Sequence, residues 1–422
     1  MERFVIEGPV RLSGGVRASG SKNTTLPLMC ATLLAQGESV LRGVPLLRDT
    51  RTMARVLETL GARCRFEGHT LRIDASEVPN RKAPYELVKT MRASIYVLGP
   101  LLARFGDVRV SLPGGCAWGP RPVDLHLMGM ERLGARVSLD HGYIDARAPA
   151  GGRLCGDDIA FKVSSVGATA NILMAAVLAE GRTVLHNAAR EPDVTALAEG
   201  LVAMGARIEG LGTSTLTIDG VESLAPLDMT VPADRIEVGT FLAAAPITRG
   251  RVRVEGCVPD HQRSLLELFR QGGLAVSQGE DWIEVDGAGR MQALEVVTAP
   301  YPGFPTDMQA QIMAACAVAD GVSTITETIY LDRFTHVAEL RRLGAEIRLD
   351  GNVAVVRGVE RLQGAPVMAT DLRCSAALIL AACGAEGTTY LGRVYHIDRG
   401  YEAIEEKLAG LGARIRREDE PA

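Results

Sequence analysis

Two kinds of hydrophobic pattern alternate along the chain. In the first, small apolar residues occupy nearly every position, as in residues 169–181, and this predicts a helix that is buried on all sides. In the second, apolar residues recur every three or four positions up to a Leu-Gly-Ala phrase, after which apolar and polar residues alternate, as in residues 345–349. This predicts an amphipathic helix that ends at a glycine and is followed by a strand. Asp350, Gly351 and Asn352 then predict a hairpin turn.

The second pattern repeats at a nearly constant distance. Its glycines are separated by 73, 71, 68, 71 and 68 residues, and they are Gly61, Gly134, Gly205, Gly273, Gly344 and Gly412. A buried-helix run precedes this phrase in every copy except the second. The period predicts six units of one α/β fold, with buried helices inside and sheets outside. Because the fourth copy begins near Asp234 and Arg235, we expect two domains of three units with a cleft between them.

Composition narrows the class of protein. Hydrophobic residues make up 47% of the 422 residues and charged residues 23%, which is typical of globular domains. A net charge of −5 gives no basic surface for nucleic acid. The apolar runs are much shorter than the roughly 20 residues that span a bilayer, and no basic segment followed by an apolar one marks a secretion signal at the N-terminus. We therefore expect a cytoplasmic protein without membrane insertion.

Cofactor motifs give little support to other activities. Residues 15–23 approach a phosphate-binding loop but end in Ser-Lys-Asn, where that loop requires Lys followed by Ser or Thr. The glycine fingerprint of nicotinamide enzymes and the HExxH motif of zinc proteases are both missing from the sequence. Eight cysteines are scattered without zinc-site spacing, and those in apolar helical runs are expected to be buried.

Cationic residues recur at positions that belong to neither a helix face nor a strand face. They are Lys22, Arg121, Arg333, Arg373 and Arg399. If they converge on the cleft, they suit a small substrate with several negative charges, because arginine binds carboxylates and phosphates with two parallel hydrogen bonds. The alternative is a set of ordinary surface salt bridges.

Asp307 and Cys116 each allow two interpretations. Asp307 comes just before a predicted buried helix, where it is either an N-cap or a catalytic base. Cys116 lies in a loop rich in Gly and Pro, five residues before Arg121. That charge favours a reactive thiolate, but an exposed loop cysteine without such help is inert.

Nine longer stretches carry a family resemblance. They are residues 19–23, 90–106, 112–126, 165–172, 187–194, 233–241, 304–311, 368–378 and 395–402. Through them the chain resembles, over essentially its whole length, the family of UDP-N-acetylglucosamine 1-carboxyvinyltransferases, which are enolpyruvyl transferases. The resemblance implies a two-domain inside-out α/β barrel built from six repeated units. The implied domains are residues 22–230 and residues 1–21 with 231–422, and the active site is implied in the cleft between them.

The resemblance also implies an activity. The enolpyruvyl group of phosphoenolpyruvate passes to the 3′-hydroxyl of UDP-N-acetylglucosamine through a tetrahedral intermediate and phosphate is released, which begins peptidoglycan synthesis. Its implied partners are these two small molecules, with no nucleic acid, and it implies no metal or organic cofactor.

Catalytic roles carry over by resemblance to matching residues of this sequence. Lys22, Arg121 and Arg399 would hold phosphoenolpyruvate. Asp307 would act as the base on the sugar hydroxyl, which Asn23 would orient. Cys116 resembles the loop cysteine that serves as general acid or forms an adduct with phosphoenolpyruvate, and that fosfomycin alkylates.

Binding roles carry over in the same way. Further contacts to anionic groups are implied for Arg92, Arg333 and Arg373. Ile329 resembles a contact to the sugar. The uridine and diphosphate site is implied at Pro122, Val123, Asp124, Leu125, Ser165, Val166 and Gly167.

Three departures from the family pattern stand out. Lys162 is offset by one residue from the family's Lys-Val-Ser-Val-Gly, so its diphosphate contact is not carried over. Thr24 and Thr25 replace the alanines that many members have after the Lys-Asn pair, and Trp118 occupies a loop position that is usually aliphatic.

Two other functions remain as alternatives. One is the sister transferase that uses shikimate 3-phosphate, against which the Gly-Gly-Cys loop and the sequence after Arg121 argue. The other is a catalytically silent regulator that binds UDP-sugars, which the joint presence of Cys116, Asp307 and the cationic residues makes less favoured.

Overall fold

The computed structural model describes residues 2–89, 91–112 and 123–420. The chain divides into two compact units. The continuous unit is Gly20–Pro232, and the discontinuous unit combines Met1–Ser19 with Ala233–Ala422.

Short strands alternate with helices throughout the described residues. The strands are β1 (Glu2–Gly8), β2 (Ser13–Arg17), β3 (Glu38–Arg42), β4 (Arg63–Glu67), β5 (Thr70–Asp74), β6 (Lys82–Ala83), β7 (Asp107–Ser111), β8 (Arg136–Asp140), β9 (Tyr143–Arg147), β10 (Asp158–Ala160), β11 (Arg182–His186), β12 (Arg207–Glu209), β13 (Thr215–Asp219), β14 (Asp228–Thr230), β15 (Arg251–Glu255), β16 (Ala275–Gln278), β17 (Trp282–Asp286), β18 (Glu295–Val297), β19 (Val322–Thr326), β20 (Glu346–Asp350), β21 (Val353–Arg357), β22 (Pro366–Met368), β23 (Gly387–Gly392) and β24 (Arg414–Asp419). The α-helices are α1 (Lys22–Ala31), α2 (Arg48–Leu60), α3 (Tyr85–Val88), α4 (Leu98–Phe105), α5 (Asp124–Arg132), α6 (Val166–Ala176), α7 (Pro192–Ala203), α8 (Arg235–Thr248), α9 (Arg263–Gln271), α10 (Gln309–Cys316), α11 (His336–Arg342), α12 (Leu372–Gly384) and α13 (Ile404–Gly410). Short 3-10 helices occur at Thr32–Leu34, Arg92–Val97, Pro259–Gln262, Thr306–Met308 and Val394–Arg399.

The described strands form six sheets of four strands. Their orders are β14-β3-β5-β4, β6-β7-β9-β8 and β10-β11-β13-β12 in the continuous unit, and β16-β17-β15-β2, β18-β19-β21-β20 and β22-β23-β1-β24 in the discontinuous unit. Each sheet has one parallel edge strand and an antiparallel remainder, as where β18 pairs in parallel with β19 and β21 lies antiparallel between β19 and β20. This identical plan confirms the repeated α/β unit.

The strands bury one face because their apolar residues alternate with polar ones. In β21, Ala354 and Val356 are fully buried, whereas Arg357 is exposed. The apolar helices lie on the buried side: α8, α10 and α12 pack against one another in the discontinuous unit, and α4 and α6 do so in the continuous unit. Each of these helices is almost wholly buried. Buried helices with sheets around them are therefore confirmed.

The predicted helix ends are confirmed by the backbone. All six repeat glycines have a positive φ between 78° and 112°, the left-handed conformation that ends a helix without a steric cost at glycine.

The second repeat also contains a buried helix, α4, although it lacks the small-residue pattern of the others. Its sequence LGPLLARF includes Gly99, Pro100 and Arg104. Arg104 ends in a polar niche, where it donates to the carbonyl oxygens of Leu33, Ala35 and Ala75.

The first strands of the chain complete sheets formed by its second half. β1 lies between β23 and β24, and β2 pairs in parallel with β15. The chain then leaves this unit at Ser19 and re-enters it at Ala233.

Neither a membrane-spanning helix nor a metal-binding cluster occurs among the described residues. No helix in this part of the chain is long and apolar enough to cross a membrane. Among the same residues, His, Cys, Asp and Glu side chains form no group of three or more that could hold a metal ion.

Candidate active site

Asp307 joins two arginines of the discontinuous unit. It lies in the 3-10 turn Thr306–Met308, between Pro305 and the start of α10. Its Oδ1 accepts a hydrogen bond from Arg333 Nη1 at 2.8 Å, and its Oδ2 accepts two from Arg373, from Nη2 at 2.8 Å and from Nε at 3.1 Å. The residue that caps α10 is Met308. Asp307 is therefore held by charge and does not cap this helix.

The two guanidiniums determine the charge of Asp307. Burial by itself would raise the pKa of the carboxyl group, but Arg373 and Arg333 outweigh it and hold this pKa well below its usual range. The arginine side chains are only 6% and 9% exposed, whereas the Asp307 side chain is 30% exposed. The group is thus an anion that remains partly open to a ligand.

The start of α12 orients Arg373. Asp371 caps this helix, and its Oδ1 accepts hydrogen bonds from the backbone N–H groups of Arg373 and Cys374 at 2.8 and 3.1 Å. Because the backbone of Arg373 is fixed in the first turn of α12, the position from which its side chain extends is fixed as well.

Tyr401 holds the other end of the Arg373 guanidinium. Arg373 Nη1 donates to the Tyr401 hydroxyl at 3.2 Å, and Gln311 Nε2 donates to the same oxygen at 3.3 Å. The Thr240 hydroxyl donates to the Ile236 carbonyl, so the Tyr401 hydroxyl donates its own proton to Thr240 Oγ1 at 2.8 Å. Burial raises the pKa of Tyr401, which keeps its proton in place for this bond.

Arg399 lies close in sequence to this network. It ends the 3-10 helix Val394–Arg399, which packs against α12, and it precedes Tyr401 by two residues. Ile329 lies in the loop that leads to Arg333 and is 36% exposed.

Lys22 and Asn23 begin α1 in the continuous unit. Ser21 caps this helix by accepting from Thr24 N at 3.2 Å. Lys22 Nζ lies 3.4 Å from Asp49 Oδ2, and both side chains are largely buried. The lysine is therefore held near the helix N-terminus, which itself favours anions.

Asp193 anchors the same segment. Its Oδ1 accepts from Ser21 Oγ and from Thr24 Oγ1, both at 2.7 Å, while Thr25 Oγ1 donates to the Ser21 carbonyl at 2.7 Å. Thr24 and Thr25, which depart from the family pattern, thus supply bonds that alanines cannot make.

A second cluster in the continuous unit surrounds His126. Burial and the nearby charge of Arg92 lower the pKa of His126 to about 4, against a smaller opposing effect of Asp124. Asn171 donates from Nδ2 to His126 Nδ1 at 3.0 Å, and its Oδ1 accepts from Gly99 N at 2.7 Å. Neutral His126 therefore carries its proton on Nε2.

This Nε2 faces the start of α6. A Cβ atom placed on Gly167 would lie 3.2 Å from His126 Nε2, so the two residues approach closely. Ser165 caps α6 by accepting from Ala168 N at 3.3 Å, and Val166 is its first residue. Val123 caps α5, in which Asp124 and Leu125 are the first two residues. The starts of α5 and α6 and Arg92 are thus brought together, whereas Lys162 is exposed ahead of α6.

Comparisons with known proteins identify the family. The EPSP synthase (3-phosphoshikimate 1-carboxyvinyltransferase) family model matches residues 6–408. A UDP-N-acetylglucosamine 1-carboxyvinyltransferase from Acinetobacter baylyi is 55% identical over 418 residues, which cover 99% of this chain and 100% of that protein. Another from Cellvibrio japonicus is 55% identical over 419 residues, 99% of each protein. This chain belongs to the UDP-N-acetylglucosamine 1-carboxyvinyltransferase family.

Solved structures agree with this family fold. The enolpyruvyl transferase NikO from Streptomyces tendae has a TM-score of 0.88 at 29% identity, covering 100% of this chain and 99% of that one. An EPSP synthase from Acinetobacter baumannii has a TM-score of 0.77 at 17% identity, covering 99% and 100%, and shows the shared fold alone.

Not every residue that the 1-carboxyvinyltransferase resemblance singles out can be placed. Cys116, Arg121 and Pro122 lie outside the described residues. Asp307 contacts both Arg333 and Arg373, and Arg92 and Asp124 lie near Gly167 through His126.

Several buried or half-buried polar residues were missed by the sequence patterns. Six of them contact expected site residues or each other, and they are Asp49, His126, Asn171, Thr306, Glu327 and Tyr401. The seventh, Asp193, contacts Ser21 and Thr24 on either side of Lys22 and Asn23. A detectable signal was a polar residue inside an otherwise apolar segment, as with Asn171 in residues 169–181.

Proposed function

We propose that the protein transfers the enolpyruvyl group of phosphoenolpyruvate to the 3′-hydroxyl of UDP-N-acetylglucosamine and releases phosphate. The observation that carries this proposal is 55% identity, over essentially the full length of both chains, to proteins named for this activity. The anionic Asp307 between two buried arginines supports it, since both a base and anion-binding groups are needed.

Asp307 is the proposed base of the addition step. It takes the proton of the sugar 3′-hydroxyl while the hydroxyl oxygen forms a bond to C2 of phosphoenolpyruvate, and a general acid protonates C3. Cys116 is proposed for that acid or for an adduct with phosphoenolpyruvate. Elimination then returns the C3 proton to the group that supplied it and breaks the bond from C2 to the phosphate oxygen, and the released phosphate takes up the proton held by Asp307. Lys22, Arg121 and Arg399 are proposed to bind phosphoenolpyruvate.

The depressed pKa of Asp307 makes it a weak base before substrate binds. With Arg333 and Arg373 hydrogen-bonded to it, the carboxylate is a weak base. Phosphoenolpyruvate brings a carboxylate and a phosphate, which compete for the same guanidiniums. Once these contacts are shared, the pKa of Asp307 rises and the base becomes effective. Substrate binding thus activates the carboxylate, which is otherwise held inactive.

A uridine and diphosphate site is proposed in the continuous unit. It comprises residues 122–125 and 165–167. Asn23 is proposed to orient the sugar hydroxyl, Arg92 to bind anionic groups and Ile329 to contact the sugar. The start of α6 supports this assignment because backbone N–H groups at a helix N-terminus favour anionic groups.

The product is the starting point of peptidoglycan synthesis. Phosphoenolpyruvate is an intermediate of glycolysis, so we place the reaction in the cytoplasm. The two substrates are the small-molecule partners of this proposal.

Phosphate release from phosphoenolpyruvate tests the proposal. We expect release with UDP-N-acetylglucosamine and none with shikimate 3-phosphate, and we expect fosfomycin to abolish it by alkylating Cys116. Release with shikimate 3-phosphate alone would assign the sister reaction, which the comparisons do not favour. The absence of release with both acceptors, together with retained binding of UDP-N-acetylglucosamine, would indicate a silent regulator.

A further inference from the structure

Glu327 is a fully buried carboxylate that the reaction described above does not use. It follows β19 directly and has 0% of its surface exposed. Its Oε1 accepts from Thr298 Oγ1 at 2.9 Å, from Ile329 N at 2.8 Å and from Tyr330 N at 3.0 Å. Its Oε2 accepts from Thr306 Oγ1 at 2.8 Å. Burying a carboxylate is costly unless it is hydrogen-bonded, and these four bonds compensate that cost.

One pair of these bonds shapes the loop that carries Arg333. The N–H groups of Ile329 and Tyr330 both point to the same oxygen of Glu327, which fixes the first turn of the loop. The loop then closes on itself, because Arg333 N donates to the Tyr330 carbonyl at 2.8 Å. Glu327 therefore fixes the backbone of the loop from which the Arg333 side chain extends.

The bond to Thr306 reaches the segment that carries Asp307. Thr306 Oγ1 accepts from Arg333 Nη1 at 3.0 Å, and the same Arg333 atom donates to Asp307 Oδ1 at 2.8 Å. Guanidinium is only a donor, so the single hydroxyl proton of Thr306 is available for Glu327. The hydrogen bonds thus run in one direction, from Arg333 through Thr306 to Glu327.

We propose that Glu327 is a positioning residue for the transferase reaction, which fixes the separation of Arg333 and Asp307 by holding both the loop 328–333 and Thr306. This inference rests on the proposed function for its kinetic consequence and on the hydrogen bonds above for its geometry. The carboxylate acts through Arg333 and Thr306 and has no proposed contact with substrate.

A carboxylate is required here because every group that faces it is a donor. Glutamine has the same shape, but its NH₂ group cannot accept the Thr306 proton. In Glu327→Gln the hydroxyl of Thr306 must turn away, and its bond to Arg333 Nη1 changes with it. A misplacement of about 1 Å in such a site lowers the rate about 100-fold.

The kinetic test compares E327Q with the parent protein and with E360Q. Glu360 is an exposed carboxylate of the same unit that pairs with Arg249 and Arg290, so E360Q controls for the loss of one negative charge. We expect kcat/KM for phosphoenolpyruvate to fall about 10- to 100-fold in E327Q and to stay at the parental value in E360Q. Unfolding by urea confirms that each variant is folded at the assay temperature.

The pH profile separates positioning from a purely structural role. If Arg333 no longer donates correctly to Asp307, the pKa of Asp307 moves back toward its usual range. The acidic limb of kcat/KM is then expected at higher pH in E327Q than in the parent and E360Q. A variant with parental kcat/KM and a parental acidic limb would overturn the inference.

A second variant covers the case in which E327Q does not fold. T306V removes the middle of the hydrogen-bond path at a half-buried position. We expect it to show the same two changes, and the double variant to be no worse than the poorer single one, since both act on one path. Additive losses would contradict this path.

The crystal structure of E327Q or T306V separates failure of this inference from failure of the proposed function. A parent protein without phosphate release refutes the proposed function only. In that case the separation of Arg333 Nη1 from Asp307 Oδ1 still decides the geometry. We expect it to lengthen beyond hydrogen-bond distance, and an unchanged 2.8 Å would overturn the role of Glu327.

Discussion

Asp307 and Arg373 form a two-point contact in which both Nη2 and Nε of the arginine donate to one carboxylate oxygen, at 2.8 and 3.1 Å. Lysine has a single ammonium group and cannot reproduce this fork while also reaching Tyr401. The contact leaves the second oxygen of Asp307 to Arg333. Both oxygens of the carboxylate therefore accept hydrogen bonds from guanidinium groups before any substrate binds.

Removing the charge of Asp307 tests its role as base. We expect D307N to lower kcat for phosphate release by about 10²- to 10⁴-fold, the range for loss of a general base. Asp260, an exposed partner of Arg263, provides the control variant D260N, which should keep the parental rate. Parental turnover by D307N would assign the base to another group.

The same variant has a predicted effect on acid stability. The pKa of Asp307 is depressed in the folded protein, so its carboxylate stabilises the fold above the unfolded pKa of about 3.9 and this contribution is lost as the pH falls through the folded value. Urea unfolding between neutral pH and pH 3 should show a shallower loss of stability in D307N than in D260N. Equal slopes would contradict the depressed pKa.

His126 predicts a further dependence on pH. Its pKa falls from 6.5 to about 4 on folding, so the unfolded chain binds more protons between these values. Its contribution to stability is therefore complete above pH 6.5 and is lost on acidification toward pH 4, by up to about 3 kcal/mol. H126Q should flatten this part of the stability curve, measured by urea unfolding at pH 7 and pH 5. His141, whose side chain is 91% exposed, gives the control H141Q.

Tyr401→Phe removes one hydroxyl from the network behind Arg373. The variant leaves Arg373 Nη1 and Gln311 Nε2 without this acceptor, and we expect a loss of about 1–2 kcal/mol in the free energy of unfolding. Tyr390, which is 38% exposed, provides Y390F as the matched control with little expected change. A Y401F protein as stable as the parent would show that the network contributes no net stability.

Gly99 tests the close packing of α4 on α6. A Cβ atom there would lie 2.3 Å from the Asn171 carbonyl oxygen and 2.6 Å from its Oδ1, so one helix must move. We expect G99A to cost about 2 kcal/mol or more and to disturb His126 through Asn171. At Gly410 a Cβ atom meets nothing within 4 Å, and G410A should cost no stability. Thermal unfolding of the two variants gives the comparison.

The repeated fold was predictable because each unit needs glycine at the same backbone position, so the period can be read from the sequence. A left-handed residue ends each amphipathic helix, and Gly344 and its five equivalents mark it in sequence. The sequence pattern did not reveal α4 as a buried helix. Its burial depends on packing against Asn171 and on carbonyl oxygens that accept from Arg104, and neither contact produces a periodic signal. Tertiary contacts decide such elements, and local pattern does not reveal them.

The sequence predicted which residues belong to the candidate site but not which of them form ion pairs with one another. The patterns and the resemblance pointed to Asp307, Arg333 and Arg373, yet nothing in their spacing indicated that one carboxylate bridges both arginines. Glu327 gave no motif at all, since its role depends on donors from three separate segments of chain. Such residues are visible only after folding has brought those segments together.

The place of β1 between β23 and β24 has a consequence for biosynthesis. β1 leaves the ribosome before its partners around Leu391 and Ile415 are synthesised, so it remains unpaired until they emerge. By contrast, all the described strands of the continuous unit are available for pairing once Thr230 has emerged. Domains generally fold as units during synthesis. Nascent chains stalled near residue 260 should therefore already contain a protease-resistant continuous unit, with β1 still unpaired and in need of protection.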